Sequence, residues 1–251
     1  MIDLTDKVIL VTGGSRGIGA AIVRVAARAG AQVVLHYGRQ RAAAAAVAAS
    51  VGADRCHLVE GDLDQPGAGA RVWADAMAWR GRVDVLVNNA AVALDVGLDD
   101  PAAWAEAWQR TLRINVVAVA DLCREAIIHF RGRGGGTIIN IASRAAFRGD
   151  DPNMFHYAAS KGAVVTLTKS IARGYARDGV TAYAVAPGWV RTEMARPAIV
   201  ARGLEALTRD IPMGDLAPPE EVANIVAFLA SGLARHATGA TIDINGASYV
   251  R

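Results

Sequence analysis

Apolar residues follow two alternating patterns along the chain. Short continuous apolar runs rich in β-branched residues, as at positions 8–11 and 33–35, are typical of strands that are covered on both faces. Longer stretches with apolar residues three or four positions apart, as at 17–29, are typical of amphipathic helices. Their regular alternation predicts β-α-β units, in which parallel strands are joined by right-handed helical crossovers.

The pattern predicts strands at 8–11, 33–35, 57–59, 83–87, 137–141, 180–185 and 241–244. Helices are predicted at 17–29, 70–79, 101–130, 153–176 and 219–229. A further helix is predicted in the alanine-rich stretch that follows the second strand and ends at residue 51. Because no linker, charge block or repeat divides the sequence, we expect one dinucleotide-binding and catalytic domain over residues 1–251. Its fold class is α/β, a doubly wound (Rossmann) parallel β-sheet flanked by helices on both faces, with the ligand at the carboxyl ends of the strands.

Composition narrows the class of protein. Of 251 residues, 53% are hydrophobic and 20% charged, which excludes an intrinsically disordered chain. The 27 basic and 24 acidic residues give a net charge of only +3, and no basic run interleaved with aromatics indicates nucleic-acid binding. Two cysteines do not form a disulfide framework, and the histidines lack metal-site spacing. We expect no metal, no membrane partner and a cytoplasmic location, because neither a secretory signal nor a membrane span is recognisable.

A glycine-rich segment follows the first predicted strand and opens the first helix. Gly13, Gly17 and Gly19 lie in it, and glycines there allow a sharp turn and a close approach of the backbone to a pyrophosphate. The spacing is GxxxGxG rather than the GxGxxG of the standard dinucleotide fingerprint. An ordinary glycine turn is the alternative, but the position after strand one of a βαβ chain favours phosphate binding.

The end of the second strand indicates which dinucleotide binds. An acidic residue there would bind the adenosine ribose and repel a 2′-phosphate, but His36, Tyr37 and Gly38 include no acid. Arg16 and Arg39 are placed to grip a dianionic phosphate, unless both are merely solvated surface arginines. The missing acid predicts NADP(H) rather than NAD(H).

Four residues are candidates for chemistry. Tyr157 and Lys161 are four positions apart and therefore share one helix face, where the ammonium would lower the phenol's pKa. Ser143 ends a strand and would donate to a substrate oxygen in the crevice, although a capping serine is the plainer reading. Asn115 is a polar residue in an apolar helix, either a surface residue or one whose carbonyl holds a water near Lys161.

These segments together resemble the short-chain dehydrogenase/reductase family, in its 3-oxoacyl-carrier-protein reductase-like branch, from Thr12 to Asn245. The resemblance implies a catalytic group of Asn115, Ser143, Tyr157 and Lys161. It also implies, with the arginine argument, that these residues bind the cofactor: Gly13, Ser15, Arg16, Gly17, Ile18, Gly19, Tyr37, Arg39, Asp62, Leu63, Asn89, Ala90, Tyr157, Lys161, Pro187, Gly188, Val190 and Thr192.

The implied activity is hydride transfer between NADP(H) and a small-molecule carbonyl/alcohol pair, with a 3-oxoacyl thioester as one substrate class. An NAD-linked alcohol or sugar dehydrogenase and a non-catalytic NADP(H)-binding sensor are the alternatives. Apolar wall residues are expected at Phe147, Met154, Phe155, Trp189 and Met194, and contacts to an anionic substrate at Arg144, Arg148 and Arg191.

Assembly is predicted from the helices at 101–130 and 153–176. The second carries Val164, Leu167, Ile171 and Tyr175, more apolar surface than one face buries against a single sheet. The family commonly pairs these two helices across a two-fold axis, and the apolar C-terminal segment at 242–250 would close a second contact. We therefore expect a homotetramer rather than a monomer.

Overall fold

Parallel strands form a single sheet in the computed structural model, which describes residues 2–52 and 54–251. Within those residues the strands are β1 Val8–Val11, β2 Gln32–Tyr37, β3 Cys56–Glu60, β4 Val85–Asn88, β5 Gly136–Ile141, β6 Val180–Pro187 and β7 Thr241–Ile244. All neighbouring pairs are parallel, in the order β3-β2-β1-β4-β5-β6-β7. The doubly wound fold class is confirmed.

Helices cover both faces of the sheet. They are α1 Gly17–Arg28, α2 Arg41–Val51, α3 Ala68–Arg80, α4 Pro101–Leu112, α5 Ala118–Arg131, α6 Ala145–Arg148, α7 Phe155–Tyr175, α8 Arg196–Arg202, α9 Leu204–Thr208 and α10 Pro219–Ala230. The apolar residues of α1, α2 and α10 form one core, and those of α3, α5 and α7 form another on the opposite face. No helix within 2–52 or 54–251 is long and apolar enough to cross a membrane.

The continuous apolar strands divide their side chains between these two cores. Val33 and Leu35 of β2 pack on the α1 side, whereas Val34 packs on the α3 side, and β1 alternates in the same way. Burial on both faces explains why the strands lack polar alternation in the sequence.

The strand order reverses between β1 and β4, which creates a crevice at their carboxyl ends. The glycine-rich segment leaves β1 at this point, and Asn89 and Ala90 leave β4 beside it. The fold therefore places both segments where an open α/β sheet binds its ligand.

The helix predicted at 101–130 is interrupted in the structure. A π-helical turn, Arg113–Val117, separates α4 from α5. Such turns insert one extra residue into a helix and occur often at functional sites. Asn115 lies in this turn with its side chain buried, so the widened turn directs the amide inward. Helices α6, α8 and α9 were not predicted; with four to seven residues each, they are too short for a periodicity signal.

Candidate active site

The loop after β1 is held in position by residues at the end of β4. The Asn89 side-chain amide donates to the carbonyls of Thr12 at 2.9 Å and Gly13 at 3.1 Å. In return, the Thr12 hydroxyl accepts from the backbone N–H groups of Asn89 and Ala90, both at 3.0 Å. These bonds cross the switch point and fix the shape of the loop.

Glycine is required at particular positions in this loop. Gly13 and Gly17 have φ values of +65° and +53°, in the left-handed region. Gly19 is required for a different reason, because a Cβ there would lie 2.2 Å from the Gly13 carbonyl oxygen. The backbone of Ser15, Arg16 and Ile18 runs between these glycines into the start of α1.

The start of α1 has the properties of an anion site. No side chain caps its first N–H groups, and no acidic residue lies in its first turn. Free N–H groups and the positive end of the helix dipole favour a negatively charged group. The residues therefore fit the pyrophosphate of a dinucleotide.

Arg16 and Arg39 do not converge on one position as expected. Arg39 Nη2 lies 3.3 Å from Asp62 Oδ2, whereas Arg16 Nη1 lies 3.1 Å from Glu193 Oε2, in the loop after β6. A hydrogen bond from the Asp64 N–H, with help from Arg39, lowers the pKa of the Asp62 carboxyl. Each exposed guanidinium forms an ion pair with a different carboxylate. The sequence predicted either two solvated arginines or two phosphate-binding arginines, and neither prediction included these ion pairs.

Acidic groups at the end of the crevice that is expected to bind adenosine come from β3 and the loop after it rather than from β2. Tyr37 at the end of β2 donates its hydroxyl proton to Glu60 Oε2 at 2.9 Å. Asp62 and the buried Leu63 follow β3 directly, beside Arg39. The expected adenosine-binding residues therefore lie along one edge of the crevice.

Ser143, Tyr157 and Lys161 are grouped at the end of β5. Lys161 is 4% exposed, and its ammonium donates to the Ile141 carbonyl at 2.8 Å. Its Nζ lies 5.7 Å from the centre of the Tyr157 ring. Ser143 follows β5 closely, and its hydroxyl accepts from the Ala145 N–H at 3.1 Å. The geometry brings a hydroxyl, a phenol and an ammonium to one end of the sheet.

Burial controls the pKa values of this group. It raises the pKa of Tyr157 to about 12, although the Ser143 hydroxyl opposes the shift. It lowers the pKa of Lys161 to about 8. The expectation that the ammonium lowers the pKa of Tyr157 is therefore wrong for the groups of this chain. Desolvation is the largest effect on the phenol, and the Lys161 ammonium donates to the Ile141 carbonyl rather than to Tyr157.

Asn115 is buried rather than on the surface. Its amide nitrogen donates to the Val92 carbonyl at 2.9 Å and to the Ser160 hydroxyl at 3.1 Å, while its oxygen accepts from the Val92 N–H at 2.9 Å. The side chain ties the π-helical turn to α7, one residue before Lys161.

The segment after β6 closes the opposite end of the crevice. The Gly188 N–H donates to the Ile244 carbonyl at 2.9 Å, and a Cβ on Gly188 would lie 2.8 Å from Asn245. The Thr192 hydroxyl donates to the Val190 carbonyl at 3.3 Å, and its methyl carbon would lie 3.3 Å from a Cβ on Gly17. The segment from Pro187 to Thr192 thus reaches the glycine loop, so one ligand could contact both segments.

Several expected substrate contacts are engaged elsewhere. The Phe147 ring stacks on Tyr249, and Phe155 packs edge-on against Trp104. Arg191 pairs with Asp215, and Arg148 Nη2 lies 3.9 Å from Asp210. The tertiary structure thus diverts these side chains to partners distant in the sequence.

One buried residue at the site, His36, has a structural role that no sequence motif indicates. His36 is 2% exposed, and its imidazole lies between the glycine loop and the loop after β3. A polar residue in the otherwise apolar second strand was the available signal.

Comparison with known proteins agrees with this geometry. A family model described as "Enoyl-(Acyl carrier protein) reductase" matches residues 13–247. The acetoacetyl-CoA reductase of Rhizobium meliloti (strain 1021) is 37% identical over 247 residues, which cover 97% of this chain and 99% of that protein.

Two solved structures extend the comparison. The 3-oxoacyl (acyl-carrier-protein) reductase from Agrobacterium tumefaciens C58, with NADP bound, gives a TM-score of 0.90 at 33% identity, covering 98% of this chain and 95% of that chain. The 3-ketoacyl-(acyl-carrier-protein) reductase from Brucella melitensis, complexed with NADH, gives 0.88 at 31% identity, covering 99% of this chain and all of that chain (100%).

These proteins match the chain over nearly its whole length, and the chain belongs to the short-chain dehydrogenase/reductase family. Within that family it lies in the 3-oxoacyl-carrier-protein reductase-like branch. It is an oxidoreductase that interconverts a carbonyl and an alcohol on a small-molecule substrate with a nicotinamide cofactor.

Proposed function

We propose that the chain, residues 1–251 acting as one dinucleotide-binding and catalytic domain, is an NADP(H)-dependent reductase of 3-oxoacyl thioesters. The observation that carries the proposal is the grouping of Ser143, Tyr157 and Lys161 at the end of β5, across the crevice from the uncapped start of α1. The cytoplasmic location remains a prediction.

The four catalytic residues have separate roles in this proposal. The nicotinamide, when bound, supplies the hydride for reduction. Tyr157 donates its phenolic proton to the substrate oxygen, because a pKa of about 12 keeps it protonated at neutral pH. Ser143 donates a hydrogen bond to the same oxygen and orients it. Lys161 holds the nicotinamide ribose, and Asn115 fixes the helix turn beside it and supports a proton relay to solvent.

The preference for NADP(H) rests on charge at the adenosine end. The residues that close β2 supply no carboxylate, and Arg39 is 75% exposed at the side chain and free to turn from Asp62 toward a 2′-phosphate. Arg16 contributes to the same phosphate in this proposal, on leaving Glu193. The alternative, an NAD-linked dehydrogenase, is favoured by the carboxylates of Glu60 and Asp62 on β3 and its loop, and by the relative in complex with NADH.

An extended substrate with an apolar chain fits the segment after Thr192. Apolar side chains of this segment are largely exposed: Met194 is 55%, Val200 79%, Leu204 50% and Met213 76% exposed. Exposed apolar patches commonly mark binding surfaces. The relatives described above include an acetoacetyl-CoA reductase and two acyl-carrier-protein reductases, which supports a thioester substrate.

A cofactor-oxidation screen tests the proposal. The purified protein is supplied with NADPH or NADH and with β-ketoacyl thioesters, β-ketoesters, quinones and keto sugars, and absorbance of the reduced cofactor is followed. We expect the fastest oxidation with NADPH and a β-ketoacyl thioester. Preference for NADH and a sugar would support the NAD-linked alternative. If the protein retains Tyr157 and binds the dinucleotide but turns over no carbonyl compound, the result would favour the non-catalytic NADP(H)-binding sensor.

We propose that the protein is a homotetramer, with contacts made by different residues from those that the sequence predicts. Val164 and Ile171 of α7 are buried in the chain's own core, and Leu167 and Tyr175 pack against it, so they leave no free apolar face. Instead, Leu112, Val117 and Ile128 on α4, the π-helical turn and α5 are exposed, as is Phe155 at the start of α7. These residues support pairing of the two helices with their copies, with the C-terminal segment as the second contact.

A further inference from the structure

His36 is enclosed at the end of β2 and has a backbone partner at each ring nitrogen. Its Nδ1 lies 3.3 Å from the Gly13 nitrogen, and its Nε2 lies 2.9 Å from the Gly61 carbonyl oxygen. The side chain is 2% exposed and lies on the same face of β2 as Val34. It therefore connects the glycine loop after β1 with the loop after β3.

The two partners select one form of the imidazole. The Gly13 N–H can only donate, so Nδ1 must accept, and the Gly61 carbonyl can only accept, so Nε2 must carry the proton. A second proton on Nδ1 would place two N–H groups face to face and break the bond to Gly13. Only the neutral Nε2–H tautomer satisfies both contacts.

Both partners belong to segments that bind the cofactor's ADP half in the proposed function. Gly13 has a positive φ, and its carbonyl is already held by Asn89, so His36 fixes the N–H of the same residue. Gly61 immediately precedes Asp62 and Leu63, and its N–H donates to the Tyr37 carbonyl at 3.0 Å. His36 and Tyr37 thus hold both backbone groups of Gly61.

We propose that His36 is a positioning residue for the nicotinamide dinucleotide, which sets the glycine loop and the Gly61–Asp62 turn at the spacing that the ADP half requires. The proposal rests on the assignment of these loops to a dinucleotide in the proposed function. It adds that protonating or replacing His36 weakens dinucleotide binding and leaves the catalytic group at the end of β5 intact.

Protonation of His36 at acid pH is the titration that we expect to affect dinucleotide binding. Burial lowers the pKa of His36 from its ordinary value, and the bond to Gly61 opposes the shift only in part. The charged groups on neighbouring segments are paired with other residues: Glu60 with Tyr37 and Arg41, Asp62 with Arg39, Asp64 with Arg110 and Arg113, and Arg16 with Glu193. Because the pKa of His36 lies below the ordinary histidine value of about 6.5, dinucleotide binding should weaken only after the pH has fallen past that value.

Variants that preserve one or neither contact test the proposal. His36→Asn keeps an acceptor near the Nδ1 position, whereas His36→Leu removes both ring nitrogens at similar volume. At pH 7.5 we expect the Kd for NADPH to rise roughly threefold in the first and tenfold or more in the second, from the net value of one or two hydrogen bonds. The KM for the dinucleotide should rise in parallel while kcat at saturation changes little, a split that general destabilisation would not produce.

A pH titration separates this role from a structural one. The probe is NAD⁺, because it lacks the 2′-phosphate, which itself titrates near pH 6. Calorimetry between pH 5 and 8 should show weakening at acid pH in the unmodified protein and in the control His236→Asn, which alters an exposed histidine far from the crevice. The His36→Asn profile should be flat over the same range.

Three results would overturn the proposal. The Leu variant binds dinucleotide as tightly as the unmodified protein, or the acid weakening persists unchanged in His36→Asn, or the unmodified protein binds NAD⁺ equally at pH 5 and 8. Should His36→Leu fail to fold, the Asn variant and the titration of the unmodified protein still decide. Absence of NADPH binding in the unmodified protein at pH 7.5 would instead contradict the proposed function.

Discussion

Replacing Gly19 with alanine perturbs the cofactor site through a defined steric contact. The added methyl would lie 2.2 Å from the Gly13 oxygen and 2.6 Å from the Asn89 amide nitrogen. Ordinary contact begins near 3.4 Å, so the Gly13 carbonyl and α1 must separate by about 1.2 Å. Both groups are backbone or anchored side chain, and neither can swing away as the end of a flexible side chain could.

The magnitude follows from what that displacement breaks. Overpacking of this kind costs about 1–3 kcal/mol, which lowers the melting temperature by roughly 2–4 °C per kcal/mol in a chain of this size. Moving the loop also misplaces at least one N–H donor to the pyrophosphate. A hydrogen bond to a charged group contributes about 1.5–3 kcal/mol, so the NADPH Kd should rise roughly ten- to a hundredfold.

The assay compares Gly19→Ala with Gly97→Ala. A Cβ on Gly97 would meet nothing within 4 Å, and Gly97 has no positive φ, so this control should bind NADPH as the unmodified protein does. Binding is followed by NADPH fluorescence and stability by thermal melting. Unchanged affinity and melting temperature in Gly19→Ala would refute the reasoning, because the methyl would then fit where the structure leaves no space.

Further predictions concern selectivity, pH and assembly. Arg39→Ala should weaken NADPH binding roughly tenfold or more while barely changing NADH binding, because only NADPH carries the 2′-phosphate; equal kinetics with both cofactors in the unmodified protein would contradict this. The kcat/KM for NADPH should be level between pH 7 and 8 and fall above pH 8, since Lys161, which holds the nicotinamide ribose in the proposed function, is charged only below its lowered pKa of about 8 while Tyr157 stays protonated; a kcat/KM that rises between pH 8 and 10 would oppose it. Light scattering at micromolar concentration should give the mass of four chains; one chain would exclude the assembly, and two would remove only the C-terminal contact.

The parts of the fold that follow from local pattern were predictable. Continuous apolar runs marked the seven strands of the described chain, and Gly13, Gly17 and Gly19 marked the phosphate loop, because burial on both faces and left-handed backbone leave direct traces in residue type. The family resemblance supplied the order of the catalytic residues, and the structure brings Ser143, Tyr157 and Lys161 to one end of β5.

Features that depend on distant partners were not predictable. Arg16 pairs with Glu193, which is 177 positions away, and Asn115 in the π-helical turn donates to the Ser160 hydroxyl of α7. The pKa of Tyr157 depends on burial, which residue spacing does not reveal. In the sequence, His36 is only a histidine within an apolar strand. Its two backbone partners become evident when the fold brings β2 between the loop after β1 and the loop after β3.

The central claim, that this chain reduces a carbonyl by proton donation from Tyr157, is tested most directly by Tyr157→Phe. The phenylalanine ring fills the same space and lacks only the hydroxyl, so folding and dinucleotide binding should persist. Turnover of the best carbonyl substrate with NADPH and the NADPH Kd are measured side by side. The account predicts an NADPH Kd close to that of the unmodified protein and a rate reduced to below a few per cent. A variant that binds NADPH normally and keeps a substantial fraction of the rate would contradict it.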